Sequence, residues 1–183
     1  MTPEKKLESA NIYLRPILLS DVSNDYIRWL NDAEVVKYLE VRHFCQNYES
    51  IKGFVESKIN ADDEYLMAIC CKNTDLHIGN IKLGPIDQYH KRADLSLFIG
   101  NKNFWGKGLA IEAIKLITTF AFETLKLNKI MASCYQENQA SAHVFCQAGY
   151  HIEGTSPDYM LLNGIPHDLV WLGLSNNQYQ RRA

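Results

Sequence analysis

The pattern of apolar and polar positions is clearest in the middle of the chain, where it repeats every three to four residues. The polar stripe is Glu112, Lys115, Thr119, Glu123 and Lys126, and the apolar stripe is Ala110, Ala113, Ile114, Ile117, Phe120 and Ala121. A helix with this pattern buries its apolar stripe against a sheet. We therefore predict an amphipathic helix from Leu109 to about Lys126.

Short apolar runs on either side of this helix predict strands. They span residues 11–17, 65–71, 77–83, 93–99, 128–136, 151–162 and 167–174. The turn-like residues 72–75 join two of them into a hairpin, and Asn163-Gly164 favours another hairpin between the last two. Caps and helical spacing predict further helices near residues 22–30, after Ser20 or Asp21, and near 35–39, 50–60 and 138–148.

Composition and charge narrow the class of protein. The chain has 183 residues, of which 46% are hydrophobic and 22% charged, as is typical of a globular protein and not of a disordered or fibrous one. We predict a single domain over residues 1–183, with flexible tails at 1–10 and 175–183. The formal charge of −2 gives no general attraction to nucleic acid or to an anionic membrane, and we expect neither as a partner.

The N-terminus and the cysteines indicate a cytoplasmic protein. Residues 1–10 lack the apolar stretch of a secretory signal, and no later apolar run approaches the ~20 residues of a membrane span. The spacing of the cysteines, Cys45, Cys70, Cys71, Cys134 and Cys146, fits neither a disulfide framework nor a CxxC motif. We expect free thiols; the alternative is a nucleophilic cysteine, with Cys146 beside His143 as the suggestive pair.

Glycines punctuate the segment between the strand at 93–99 and the long helix. The loop Gly100–Gly108 runs straight into the helix, so the amides of the first helical turn lack intrahelical partners and the helix dipole adds positive charge. Such a loop suits a phosphate or pyrophosphate. The spacing of Gly106 and Gly108 matches neither a Walker A loop nor a GxGxxG fingerprint. The alternative interpretation is a turn that only connects strand to helix.

This loop and a second block together resemble a known family. The segment Phe104–Ile114 (FWGKGLAIEAI) is similar to the acyl-CoA pyrophosphate loop of the GNAT superfamily of N-acetyltransferases, and most of all to its RimJ/RimL-like branch. The second block, Glu137–Ala142 followed by Ala148-Gly149-Tyr150, is similar to the N-x-x-S and G-F/Y signature of that branch. Arg15-Pro16 and residues 163–168 match its usual ends, so the resemblance covers residues 11–174.

The resemblance implies an α/β (α+β) fold with a GNAT-like mixed, twisted sheet of six or seven strands. Helices would cover both faces, and the two central strands, at 93–100 and 128–136, would splay apart. It implies acetyl-CoA as the cosubstrate, with the pantetheine arm along the first of these strands and the pyrophosphate on the loop. The cofactor-binding residues that it implies are Leu97, Phe98, Ile99, Gly106, Lys107, Gly108, Leu109, Ala110, Asn138 and Ser141.

For catalysis, the resemblance implies direct attack of a neutral amine on the thioester. The backbone N–H of Phe98 is the expected oxyanion donor, because the superfamily's strand is bulged at this point. The tyrosine that is the general acid in many GNAT enzymes is replaced here by Phe145. Ser141 is therefore the expected acid; its alternative role is that of a structural hydroxyl near a helix N-terminus.

The expected general base is Asp94, which opens the central strand on the same face as Ser96 and Phe98. Its alternative role is that of a strand-end carboxylate that caps a loop. The further candidates for the base are Asp87, His90, Tyr135 and Glu137. The remaining histidines, His43, His77, His151 and His167, show no metal-ligand spacing, and we expect no metal.

The acceptor is expected to enter opposite the cofactor, along residues 29–42 and the closing hairpin. We expect a primary amine, on a protein N-terminus or on a small molecule. A nucleotide-linked aminosugar is an alternative acceptor, and a CoA-binding sensor or structural domain without turnover is an alternative function. We expect a monomer or a homodimer.

Overall fold

The computed structural model describes residues 6–181, which form an eight-stranded sheet and five α-helices. The strands are β1 (Leu7–Glu8), β2 (Ile12–Pro16), β3 (Tyr65–Cys71), β4 (His77–Asp87), β5 (Arg92–Ile99), β6 (Lys129–Tyr135), β7 (His151–Leu162) and β8 (Ile165–Ser175). The helices are α1 (Asn24–Asn31), α2 (Tyr48–Ile59), α3 (Leu109–Thr119), α4 (Gln139–Gln147) and α5 (Asn176–Gln180). A π-helical turn, Phe120–Thr124, extends α3, so the predicted long helix is confirmed over most of its length.

The strand order is β1-β2-β3-β4-β5-β6-β8-β7, and every neighbouring pair is antiparallel except β5 and β6. The seven predicted strands are present, and β1 is an eighth that the sequence did not indicate. It pairs with β2 through Leu7 opposite Leu14, and the Leu7 side chain packs against the core. The predicted sheet of six or seven strands is thus corrected to eight, because a two-residue strand carries no pattern of its own. Helix α5, in the other expected tail, is capped by Ser175.

Helices cover both faces of the sheet, as predicted. On one face, which we call the α3 face, α3 and α4 bury residues such as Ile114 and Phe145 against Ile81 and Ile130. On the other, the α1 face, α1 and α2 pack on β2 and β3 in a second cluster. Within residues 6–181, no helix combines the length and the apolar character needed to cross a membrane.

The two central strands separate after a short contact. Strands β5 and β6 pair in parallel from Arg92 opposite Lys129 to Asp94 opposite Met131, where their ladder ends. Beyond that point β5 stays paired with β4, and β6 stays paired with β8 as far as Tyr135. The prediction of splayed central strands is therefore confirmed. We call the space between residues 95–99 and residues 132–135 the gap.

The region before α2 differs from the prediction. Ser23, and neither Ser20 nor Asp21, caps α1. The Asp21 carboxylate is 8% exposed and instead accepts two hydrogen bonds of 2.6 Å from the Arg15 guanidinium. Residues 35–39, predicted as a helix, form turns that lead into a 3-10 turn at Glu40–His43. This segment brings Tyr38 and Arg42 into contact with Tyr135, the last residue of β6.

Candidate functional site

The glycine loop leads from the end of β5 into α3 through two left-handed residues. Gly106 and Gly108 have φ angles of 70° and 75°, a conformation that other residues adopt at a cost. A Cβ atom at either position would have no heavy atom of the chain within 4 Å, so both glycines face open space. Their conformation, and not crowding inside the protein, explains why glycine stands at these positions.

The loop leaves a row of backbone donors without acceptors. The N–H groups of Ile111 and Glu112 both donate to the Gly108 carbonyl. The five preceding amides, those of residues 106–110, have no acceptor among the described residues. These donors lie at the positive end of α3. The arrangement suits an oxyanion with several oxygens, such as a pyrophosphate.

Glu112, in the first turn of α3, holds the helix start against the N-terminal strands. Its carboxylate accepts hydrogen bonds from the Ser9 hydroxyl at 2.6 Å, the Asn11 side-chain amide at 2.7 Å and the Asn11 backbone at 3.1 Å. Burial raises the pKa of this carboxyl, but these hydrogen bonds lower it more, so the pKa lies below its ordinary value. Glu112 is therefore ionised at neutral pH and fixes the position of the donor row.

The backbone of β5 presents alternate residues to the gap. Gly100 donates to Ile78 of β4, and residues alternate along an antiparallel ladder, so the N–H of Phe98 also faces β4. The N–H and C=O groups of Leu97 and Ile99 face the gap instead. The Ile99 carbonyl accepts the indole N–H of Trp105 at 2.7 Å, whereas nothing in residues 6–181 pairs with the Leu97 amide on that side.

The bulge expected at Phe98 is not present, and that prediction is wrong. The β4–β5 register runs without a break from Gly79 opposite Ile99 to Leu83 opposite Leu95, and it shifts only beyond Leu83. Without a bulge the Phe98 N–H stays in the ladder. The amide that remains available for an oxyanion is that of Leu97, one residue earlier.

Helix α4 follows β6 and begins with two polar side chains, Asn138 and Ser141, on the β6 side of the gap. The Asn138 side chain caps the helix by accepting the Ser141 N–H at 3.2 Å. Ser141 is half-buried, and its hydroxyl lies beside the buried Cys134 thiol; burial raises the pKa of that thiol and the hydroxyl opposes the shift. Phe145 is buried and packs edge-on against Tyr150. Ser141 is thus the hydroxyl that α4 holds near the gap.

The candidates for a general base fall at two ends of the sheet. Asp87 and His90 form the β4–β5 turn, where Asp87 accepts backbone N–H groups, and they lie away from the open gap. Asp94 is exposed on the α1 face where β5 and β6 are still paired, about 13 Å along the strand from Phe98. Tyr135 and Glu137 alone among these candidates lie at the open end of the gap.

The structure adds a group of side chains that the sequence did not bring together. On the α1 face, Arg42 donates to the Tyr135 hydroxyl at 2.6 Å and to the Leu161 carbonyl at 3.1 Å. The Tyr38 ring packs against the Tyr135 ring with centroids 5.4 Å apart. A second pair lies beside them, in which His167 Nδ1 is 2.6 Å from a Glu137 oxygen. We call this set the rim cluster; it comprises Tyr38, Glu40, Arg42, Tyr135, Glu137 and His167.

Residues 29–42, expected to line the acceptor path, divide between core and rim. Trp29 is 8% exposed and packs beneath Gly100, where a Cβ atom would come within 2.2 Å of the indole. Tyr38, Glu40 and Arg42 belong to the rim cluster. Asp32 and Glu34, which precede Tyr38 in this segment, both pair with Lys102 of the glycine loop.

Metal-ligating and thiol groups are dispersed. No group of three or more His, Cys, Asp or Glu side chains in residues 6–181 is placed to hold a metal ion. All five cysteines are free thiols, as expected; Cys45 and Cys146 are exposed and the other three are buried.

Known proteins are similar to this chain in sequence. The sequence model described as an acetyltransferase (GNAT) domain matches residues 11–151. The uncharacterized N-acetyltransferase p20 of Bacillus licheniformis is 28% identical over 176 residues, which cover 94% of this chain and 97% of that protein. The spermidine N(1)-acetyltransferase of Escherichia coli (strain K12) is 26% identical over 173 residues, which cover 92% of this chain and 88% of that one.

A solved structure shows the same fold at lower identity. RimL, a ribosomal alpha-N-protein acetyltransferase in complex with coenzyme A, matches with a TM-score of 0.85 and 20% identity. The match covers 93% of this chain and 98% of that one. The parallel β5–β6 pair and the strands around it are therefore part of a fold that this acetyltransferase shares.

Proposed function

Because the chain belongs to the GNAT family and is an N-acetyltransferase, we propose that it uses acetyl-CoA to acetylate a primary amine on a protein N-terminus or a small molecule. The observation that carries the choice of donor is the row of free amides at residues 106–110, at the mouth of the gap. The RimL structure contains coenzyme A, which agrees with this choice. The proposal places the pyrophosphate on those amides.

The remaining cofactor contacts follow from the backbone of β5 and the start of α4. The gap-facing groups of Leu97 and Ile99 would pair with the pantetheine amides, and Trp105 leaves Leu97 as the freer of the two. Phe98 would contribute its side chain on the α1 face instead of its backbone. Asn138 and Ser141 would face the thioester from α4.

The reaction needs an oxyanion donor and a proton donor. The amine lone pair forms the new C–N bond at the thioester carbonyl, and the C–S bond then breaks to release the thiolate. The Leu97 amide would hold the carbonyl oxygen while it carries negative charge. The Ser141 hydroxyl would give its proton to the thiolate and recover one from solvent, and the amine loses one proton in total.

The charges at the rim favour an acceptor with a single positive charge over a polyamine. Three carboxylates near the acceptor path already have a partner in the chain: Glu40 pairs with Arg42, Glu137 with His167, and Asp32 with Lys102. A polyamine would have to displace several of these pairs, whereas an N-terminal α-amine would not. Among the two acceptor types, the α-amine of a peptide is therefore the better fit.

A thiol-release assay tests this function directly. Purified protein is mixed with acetyl-CoA and with N-terminal peptides, spermidine, aminoglycosides or nucleotide-linked aminosugars, and free CoA thiol is measured. We expect release with peptides at a higher kcat/KM than with spermidine. Release only with spermidine would contradict the acceptor argument. A thermal shift with CoA but no release with any amine would support the non-catalytic alternative, and no shift at all would remove the donor.

A further inference from the structure

We propose that His167, oriented by Glu137, is the general base that deprotonates the acceptor amine. The proposal rests on the acetyl transfer proposed above and names a residue that the sequence did not indicate. The imidazole and the carboxylate lie at the open end of the gap, on the start of β8 and directly after β6.

The hydrogen bond within the pair fixes which imidazole nitrogen is basic. Nδ1 of His167 lies 2.6 Å from a Glu137 oxygen, so Nδ1 carries the hydrogen and donates it. The hydrogen bond from His167 holds the pKa of the Glu137 carboxyl below its ordinary value, so this acceptor is ionised at neutral pH. Nε2 then carries the lone pair, and none of the described residues forms a hydrogen bond with it.

The register of the sheet places the His167 imidazole on the α1 face. Tyr135 lies opposite Leu169, and His167 is two residues before Leu169, so all three side chains project on the same face. It is the α1 face, since the alternate residues Ala132 and Cys134 of β6 belong to the α3 face. The Tyr135 and His167 rings are 6.3 Å apart. The free amides and Ser141 belong to elements on the other face.

An amine entering the gap from the α1 face would thus meet His167 on its own side, with the cofactor contacts opposite. This division suits a direct transfer between two substrates, because each substrate enters from its own face. His167 is shielded but accessible, with its side chain 20% exposed. Complete burial would exclude the acceptor, and full exposure would leave the imidazole unoriented.

The other polar groups of the rim are already engaged. The Tyr135 hydroxyl accepts the Arg42 guanidinium, and Asp168 accepts the backbone N–H of Asp158. The charged and titratable groups that surround the His167–Glu137 pair are Lys37 and Tyr38 after α1, Glu40 and Arg42 in the 3-10 turn, Tyr135 on β6, and Asp158 and Asp168 on β7 and β8. Positive and negative groups are mixed here, and among the described residues Glu137 is the one that is hydrogen-bonded to His167.

The proton balance is simple. As the C–N bond forms, Nε2 accepts the proton that the amine loses, and the Glu137 carboxylate stabilises the imidazolium. The imidazolium then releases the proton to solvent, which restores the base. Glu137 stays ionised throughout and acts as a positioning residue.

The test compares His167→Gln and Glu137→Gln with the wild type, with His90→Gln as the matched control in the distant β4–β5 turn. We expect His167→Gln to lower kcat/KM by about 100-fold near pH 7 while the CoA dissociation constant is unchanged. The loss should shrink with acceptors whose amine has a low pKa, because the N–H that such an amine loses after attack is more acidic and solvent can accept its proton. His90→Gln should match the wild type.

The Glu137→Gln variant distinguishes a role in orienting the His167 imidazole from a role in folding alone. A glutamine can donate to Nδ1 as well as accept from it, so the Nδ1-protonated tautomer is no longer enforced and kcat/KM should fall by about tenfold. A role confined to folding would lower activity without changing the tautomer of His167. An unchanged kcat/KM in both variants, or an equal loss with all acceptors, would overturn the proposal.

Nitrogen NMR of the imidazole gives a readout that does not depend on turnover. In the wild type, the neutral imidazole of His167 should be protonated at Nδ1, and in Glu137→Gln a share of it should be protonated at Nε2. If the wild type shows this behaviour but acetylates no amine, the proposed function fails while the pair itself is supported. If the neutral form is protonated at Nε2, the base assignment fails whatever the activity.

Discussion

The two sides of the gap are built in different ways. The cofactor side consists mainly of backbone: five consecutive amides, two left-handed glycines and the gap-facing groups of β5. The acceptor side consists of side chains from the 3-10 turn after α1, the end of β6 and the β7–β8 hairpin. The cofactor side comes mainly from one contiguous segment, residues 97–110, to which α4 adds Asn138 and Ser141, whereas the acceptor side comes from three separate segments.

This difference indicates how each side would respond to change. Backbone donors depend on local conformation, so the cofactor side should tolerate most side-chain substitutions but not the loss of a left-handed glycine. The acceptor side depends on the identity of each side chain, so its substrate range can change without altering cofactor binding. Variants on the two sides should therefore affect different kinetic constants.

The largest expected effect comes from Ser141, which serves the chemical step and neither binding site alone. Ser141→Ala removes the proposed proton donor, so kcat should fall by about 100-fold with little change in the CoA dissociation constant. Steady-state kinetics and calorimetry measure the two quantities. Ser57→Ala, an exposed hydroxyl on α2, is the control. Full rate with an unchanged pH profile in Ser141→Ala would show that the hydroxyl is structural.

Gly108→Ala tests the backbone character of the cofactor side. A non-glycine residue at φ 75° costs about 1–2 kcal/mol, and its Cβ would enter the space beside the free amides. We expect CoA affinity to fall by at least about tenfold, with the acceptor KM unchanged. The control is Gly154→Ala on β7, where a Cβ also meets no atom but φ is not positive. Equal CoA binding by both variants would contradict the amide cradle.

Arg42→Lys tests the acceptor side in the same way. Lysine keeps the charge but cannot bond to the Tyr135 hydroxyl and the Leu161 carbonyl as a planar fork. The acceptor KM should rise by about fivefold, corresponding to about 1 kcal/mol, while CoA binding stays the same. Arg28→Lys on the exposed side of α1 is the control. A change in CoA affinity instead would mean that the two sides are not separable.

The cofactor side could be predicted from the sequence because its signals are local. Gly106, Gly108 and the apolar stripe of α3 lie within one short segment, and the structure confirms both the loop and the helix. The splay of the two central strands was implied by the resemblance to the GNAT superfamily, and the structure confirms it. The exception is Phe98: which amides face the gap depends on the ladder with β4, and a ladder register is not a local property.

Residues 29–42, the closing hairpin, Tyr135 and Glu137 were predicted to lie near the acceptor, but the contacts between them could not be predicted because they join residues that are distant in sequence. Arg42 and Tyr135 are 93 positions apart, and Glu137 and His167 are 30 apart. Spacing rules detect functional side chains that share one helix or strand, whereas Glu137, the partner of His167, lies on a different element. Strand β1 escaped prediction for a related reason, since two residues become a strand only through their pairing with β2.

The smallest expected effect concerns the anchor of the donor row, Glu112. The folded-state pKa of this carboxyl lies below the ordinary value of 4.5, so its stabilising contribution is fully present above about pH 4.5 and is lost as the pH falls through the folded-state pKa. Glu112→Gln keeps the shape but removes the charge that accepts from Ser9 and Asn11. At pH 7 we expect the free energy of unfolding to fall by about 1 kcal/mol, a figure reduced for solvent screening.

The pH dependence makes this prediction specific. Below the folded-state pKa the wild-type carboxyl is protonated and resembles the glutamine, so the two stabilities should converge. Urea unfolding at pH 7 and at low pH measures the difference, with Glu56→Gln on exposed α2 as a control that should change stability by less than about 0.5 kcal/mol. A constant difference at both pH values would mean that Glu112 stabilises α3 through packing, and the donor row would then be held by shape and not by charge.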